Sequence, residues 1–174
     1  GYIRDQITLK FGQVNAISLV DIGCGGGLLA EPLARLGATV TGLDASEKNI
    51  RTASLHAEQM GVEVNYRCQS VEDLAASGAR FDVVLAMEVV EHVADVEGFI
   101  NACCNLVKPG GLLFVSTLNK TVKSFLTAIV GAEYVLRWLQ RGTHDWSKFL
   151  PPSHIAALLR RNGLVLQEMQ GMNY

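Results

Sequence analysis

No two of the four cysteines, Cys24, Cys68, Cys103 and Cys104, are spaced as a CxxC pair. That absence argues against a zinc knuckle and a thioredoxin-type redox site. Cys68 and Cys103 sit among apolar residues and are expected to be small core fillers, which suits a reducing compartment. Nor is there a run of about 20 apolar residues, so no segment reads as a bilayer-spanning helix. The opening stretch, GYIRDQITLKFGQ, lacks a hydrophobic signal core. Nor does charge of one sign dominate, with 15 Lys and Arg against 17 Asp and Glu. The formal net charge of −2 argues against an electrostatic nucleic-acid binder, so no nucleic-acid partner is expected. No repeat, low-complexity tract or clear linker interrupts the chain, which reads as a single domain over residues 1–174.

What is present is apolar and periodic. Hydrophobic residues make up 49% and charged residues 18% of the 174, enough for one domain with a substantial core. Apolar β-rich runs at Ser18–Gly23, Thr39–Asp44, Val64–Gln69, Phe81–Met87 and Leu112–Thr117 alternate with helix-like stretches. This is the pattern of an α/β fold, a parallel sheet with helices on both faces, and a continuous run such as FDVVLAM suits a strand buried on both sides. Leu28–Leu36 reads as a helix with Leu29, Leu33 and Leu36 inward, ended by Gly37. Ser46 is placed to cap the next helix, with Asn49 three residues on. Asp95 is placed to cap a helix reaching Leu106, before the turn Lys108-Pro109-Gly110-Gly111. Ser153 is expected to cap Ile155–Arg161, and Leu164–Gln170 reads as another strand.

The sharpest motif is Asp21-Ile22-Gly23-Cys24-Gly25-Gly26-Gly27, between the first strand and a helix. Glycines there permit a tight turn and let backbone N–H groups approach a ligand without a Cβ in the way. The pattern is GxGxG, and its sixth position is Leu28, where a dinucleotide site carries glycine for packing beside pyrophosphate. S-adenosylmethionine has no phosphate. It combines a zwitterionic amino acid, a sulfonium and a nucleoside, and a loop holding it needs backbone room and a nearby carboxylate such as Asp21. The candidate contacts in the loop are Asp21, Gly23 and Gly25. Asp44, closing the second strand, is placed to accept hydrogen bonds from both ribose hydroxyls, a feature that fits a nicotinamide dinucleotide equally well. Ser70 and Val71, after the third strand, are candidates for the adenine edge against the plainer reading of a helix cap.

A second cluster, Met87-Glu88-Val89-Val90-Glu91-His92, follows the fourth strand. If Glu88 begins a helix, Glu91 and His92 fall at i+3 and i+4 and share its face. Two carboxylates and an imidazole there form a candidate divalent-metal site for Mg²⁺ or Mn²⁺, with Zn²⁺ open because of the histidine. Such a metal would lower a phenol's pKa and orient its oxygen. The alternatives are substrate positioning by Glu91 and His92 without metal, His92 as general base, and acids that merely favour a helix dipole.

DIGCGGG, TGLD, EVVEH, LVKPGGLLFVSTLN and VGAEYVLRWLQRGTHDW together resemble the ubiquinone-biosynthesis O-methyltransferases across nearly the whole chain. The resemblance implies a Rossmann-like class I fold that methylates a phenolic hydroxyl of polyprenylated catechol-type intermediates with S-adenosylmethionine. It places Gly23, Asp44 and Met87 at the cofactor and Glu88, Glu91 and His92 at a Mg²⁺ ion; from the cluster itself, Glu91 and His92 are the candidate catalytic residues. It further implies partners among ubiquinone-biosynthesis proteins, and a place on the cytoplasmic face of a bacterial inner membrane or the matrix side of a mitochondrial one. The family also has an upstream segment with a cofactor-contacting arginine and a final antiparallel strand. Both are expected to be missing here, leaving one sheet edge unpaired.

Residues 119–146 are too long for a simple connection. Val122, Phe125, Leu126, Ile129, Val130, Val135, Leu136, Trp138 and Leu139 make them apolar, flanked by Lys120, Lys123, Arg137 and Arg141. This suits a segment docking on anionic lipid, and resembles the family's membrane-associating insertion; a lid packed on the protein's own core is the alternative. His144 and Trp146 are placed to help cover the active site or to serve as ordinary loop residues. Three further readings stand beside this one. An NAD-dependent oxidoreductase is disfavoured by Asp21, Leu28 and the lack of a Tyr-x-x-x-Lys-like pair. The others are a methyltransferase of another small hydroxylated substrate and a non-catalytic lipid-bound scaffold.

Overall fold

The structure, a computed structural model, describes residues 1–116 and 151–169. The expected insertion at 119–146 lies outside the described residues. The chain runs α1 (Tyr2–Phe11), β1 (Ser18–Ile22), α2 (Ala30–Arg35), β2 (Thr39–Asp44), α3 (Glu47–Gln59), β3 (Asn65–Cys68), α4 (Val71–Ala76), β4 (Phe81–Met87), a 3₁₀ turn (Val90–His92), α5 (Val96–Asn105), β5 (Val107–Ser116) and α6 (Pro152–Arg161). The five strands form one sheet in the order β3-β2-β1-β4-β5, with every pairing parallel. The order reverses at β1, so β1 and β4 flank the switch point where such sheets open a crevice.

The central strands are apolar at consecutive positions because each face meets its own core. Leu19, Val83 and Leu85 join Ile7 of α1 and Ala30 and Leu33 of α2 on one side. Val20, Ile22, Val84 and Ala86 join Val71 of α4, Ile100 and Cys103 of α5 and Ile155 of α6 on the other. Alternate residues of one strand thus serve two hydrophobic layers.

Helix ends follow local chemistry. Ser46 accepts from the Asn49 N–H at 3.3 Å, and Asp95 accepts from the Gly98 N–H at 3.0 Å, as their spacing predicts. Gly37 takes φ +93° just past α2.

Other expectations are corrected. Of the three leucines expected inward only Leu33 is buried, joined by Ala30 and Glu31, while Leu29 and Leu36 are 37% and 44% exposed. Cys68 is exposed, because β3 is an edge strand with only Tyr66 partly covered, whereas Cys103 is fully buried. Helix α6 begins at Pro152, where a proline fits the first turn, and no side-chain hydrogen bond caps it. Residues 164–169 form no strand. Strand β5 starts five residues before Leu112: Phe81 pairs with Val107 and Val83 with Leu112, so the Lys-Pro-Gly-Gly run is a bulge within the strand rather than a turn before it. Helix α1 was not expected, although Ile3, Ile7 and Phe11 recur every four residues and all meet the core.

Candidate functional site

The glycine loop leaves the carboxyl end of β1 and enters α2. Gly23, Gly25 and Gly27 take φ of +71°, +52° and +84°, the left-handed region that side chains resist. Two of the three glycines are also close approaches. A Cβ on Gly23 would meet the Val89 side chain, so the loop touches the 88–92 segment across the switch point; one on Gly27 would meet the Tyr66 hydroxyl. At Gly25 and Gly26 a Cβ would meet nothing within 4 Å. The middle of the loop therefore faces open space.

Asp44 reaches this loop from the end of β2. Its half-buried carboxylate accepts from the Gly25 N–H at 3.0 Å, the Ser46 N–H at 2.8 Å and the Asn49 amide at 3.2 Å. The loop's other tie to β2 is the Cys24 N–H, which donates to the Leu43 carbonyl at 2.8 Å. The acid that the sequence places for ribose thus lies on the loop, and ribose hydroxyls would share its lone pairs with Asn49.

Beneath the loop the environment is buried and acidic. Asp21 is 3% exposed, and burial pushes its carboxyl up to about 7 against a lowering hydrogen bond from the Ala30 backbone. Burial likewise pushes the Cys24 thiol up to about 12, reinforced by the charges of Asp21 and Asp44, which leaves it unreactive. The open middle of the loop and the Asp44 carboxylate tied to it fit a cofactor that carries a positive sulfonium and no phosphate.

The 88–92 segment does not form the expected helix. Glu88 takes φ +57°, and only a 3₁₀ turn, Val90–His92, follows. The Glu88 N–H donates to the Ser116 hydroxyl at 2.9 Å, and that hydroxyl donates to the Glu88 carboxylate at 3.0 Å. Glu91 is buried at 4% while His92 is exposed, so Glu88, Glu91 and His92 do not share one face. Among the described residues, no three His, Cys, Asp or Glu side chains stand close enough to hold a metal ion. The expected Mg²⁺ site is therefore not assembled by these groups.

Of the remaining candidates, Ser70 caps α4, its hydroxyl accepting from the Asp73 N–H at 3.1 Å, and Val71 is core. Met87 ends β4, partly buried against the α1–α2 core layer. Sequence reasoning missed Glu31, His56 and Tyr66. The Glu31 side chain is 4% exposed and lies 2.7 Å from His56 Nδ1, and the buried Tyr66 hydroxyl has no hydrogen-bond partner among the described residues.

Comparison with known proteins agrees with this geometry. The family described as "Methyltransferase domain" matches residues 20–115. Among solved structures, the YcgJ protein from Bacillus subtilis superposes with a TM-score of 0.75 at 22% identity, over 98% of this chain and 71% of that one. Magnesium protoporphyrin IX methyltransferase from Synechocystis PCC 6803, with bound SAH, gives 0.73 at 23% identity, over 93% and 72%. These two likenesses establish the fold. In sequence, the chain is 55% identical to the ubiquinone biosynthesis O-methyltransferase of Methylobacterium nodulans, over 99% of this chain and 72% of that protein. It is 54% identical to that of Cereibacter sphaeroides, over 98% and 72%. Fold, glycine loop and sequence identity converge: the chain belongs to the ubiquinone biosynthesis O-methyltransferase family, S-adenosylmethionine-dependent enzymes of the class I fold.

Proposed function

We propose that the chain moves a methyl group from S-adenosylmethionine to a phenolic oxygen of a polyprenylated catechol. One observation carries this reading: the open-faced glycine loop, tied to Asp44 on one side, touches Val89 of the 88–92 segment on the other. On this reading the cofactor and substrate sites lie side by side at the carboxyl edge of the sheet. S-adenosylmethionine supplies an electrophilic methyl on a sulfonium.

The chain's own residues do the rest. Backbone amides of Gly23–Gly27 and the carboxylates of Asp21 and Asp44 hold the cofactor's charged and hydroxylated parts. Ser70 and Val71, at the start of α4, border the adenine side, and Met87 borders the loop from the end of β4. His92, exposed beyond β4, takes the phenol's proton on an imidazole nitrogen as the oxygen attacks. Buried Glu91 beside it in the chain orients that turn. Charge is neutralised as the methyl moves, so orientation contributes more than anion stabilisation. No step is routed through Mg²⁺, since the described side chains do not gather around one.

We place the substrate, and through residues 119–146 the protein, at an anionic membrane surface beside other ubiquinone-biosynthesis proteins, on the cytoplasmic face of a bacterial inner membrane or the matrix side of a mitochondrial one. The support is the apolar, cation-flanked composition of that segment. No helix among the described residues is long and apolar enough to cross a membrane.

The test is turnover of a short-chain prenyl catechol with S-adenosylmethionine, with and without chelator. His92→Gln should lower kcat by about a hundredfold with little change in cofactor affinity. Undiminished turnover would remove His92 from the chemistry. Activity lost to chelator and restored by Mg²⁺ would mean that the 88–92 turn rearranges around an ion.

A further inference from the structure

The loop's exit is held by a group the proposed chemistry does not use. Glu31 sits in the first turn of α2, its N–H donating to the Gly27 carbonyl at 3.1 Å. Its carboxylate is almost fully buried, 2.7 Å from Nδ1 of His56 on α3 and 3.8 Å from the Arg35 guanidinium. A Cβ on Gly27 would lie 3.1 Å from Glu31 Oε1, so the carboxylate abuts the loop itself. Tyr66 closes the same spot. Its ring crosses Gly42 of β2, where a Cβ would stand 2.5 Å from the ring, and its hydroxyl reaches Gly27. Helix α3 therefore grips the loop at two points: Asn49 through Asp44 onto Gly25, and His56 through Glu31 onto Gly27.

The contact joins a buried carboxylate to a histidine ring that is 56% exposed, and such a half-solvated pairing adds little to stability on its own. It does fix direction. A loop with three left-handed glycines has much freedom to lose on ligand binding, and anchoring it beforehand lowers that loss. We infer that Glu31 and His56 form a positioning pair that presets the glycine loop for S-adenosylmethionine. The inference rests on the reading that this loop and Asp44 hold the cofactor. The pair acts through the loop, so its effect falls on cofactor affinity and not on the chemical step.

The experiment is calorimetric titration of the chain with S-adenosylhomocysteine, alongside steady-state kinetics and thermal unfolding. His56→Ala should weaken binding about tenfold and raise the cofactor KM to match, with kcat at saturating cofactor unchanged. His56→Asn, whose amide nitrogen can stand near the place of Nδ1, should restore most of the affinity. Arg51→Ala, which breaks an exposed pair with Glu47 on the same helix, should change nothing. His56→Ala binding within twofold of the parent overturns the inference. So does a loss that tracks a lowered Tm and is not restored by His56→Asn. Asp44→Ala separates the two readings. If it abolishes binding while His56→Ala does not, only the positioning pair falls; if it binds normally, the cofactor site itself is misplaced and the pair's role goes with it.

Discussion

At Asp21 a carboxyl group sits on β1 just before the glycine loop, 3% exposed, and burial pushes it up to about 7 from an ordinary 3.8. Between those two values the folded chain holds a proton that the unfolded chain has released. Asp21's contribution to stability is therefore full below about 3.8, falls as pH rises towards 7, and is level above it. Asp21→Asn removes this dependence. Melting the two proteins at pH 5 and pH 8 should show the parent losing more stability than the variant over that interval. Equal losses would mean that Asp21 is ionised throughout. Residue identity made the glycines and Asp44 legible, because a φ above zero and an acid at a strand end are local matters. Glu31 and His56 were not legible, being 25 positions apart and brought together only when α2 and α3 pack beside β2. Glu88 misled for the opposite reason. Its left-handed φ, held by hydrogen bonding with Ser116, breaks a helix that its spacing to Glu91 and His92 suggests.

Among the elements, the strands were read most faithfully where both faces are buried. Thr39–Asp44 and Phe81–Met87 begin and end as their apolar runs do. Strand β5 was cut short because Lys-Pro-Gly-Gly is written like a turn, and only pairing with β4 shows it to be a bulge. That bulge has a use at the sheet's amino-terminal edge. Lys108 donates to Asp82 at 3.0 Å and to the Ser18 hydroxyl at 3.1 Å, while the Ser18 N–H and hydroxyl donate to Asp82 at 2.8 and 2.7 Å. Burial raises the Asp82 carboxyl, but the Ser18 hydrogen bonds and Lys108 outweigh it and hold it below the usual range. Its stabilisation is thus present above the ordinary carboxylate range and is lost as pH falls through the lowered value. Asp82→Ala unties the starts of β1, β4 and β5 and should cost about 2 kcal/mol in urea unfolding at neutral pH. A loss under about 0.5 kcal/mol would make the cluster a surface ornament.

At the scale of the whole molecule, strength and function lie at opposite edges of one sheet. The amino-terminal edge is tied by the Ser18–Asp82–Lys108 cluster. The carboxyl edge carries left-handed glycines, a buried acid and a left-handed glutamate, all of which a design for stability alone would avoid. Such an edge relies on its ligand for part of its order. Methyl transfer depends on that ligand seating between the glycine loop and the end of β2. Amide hydrogen exchange with and without S-adenosylhomocysteine reads this directly. The amides of Gly23–Glu31 and Asp44–Asn49 should become protected on binding, while the Ser18–Asp82–Lys108 edge stays unchanged. Protection confined to other segments, or protection of this loop by NAD and not by S-adenosylhomocysteine, would contradict it.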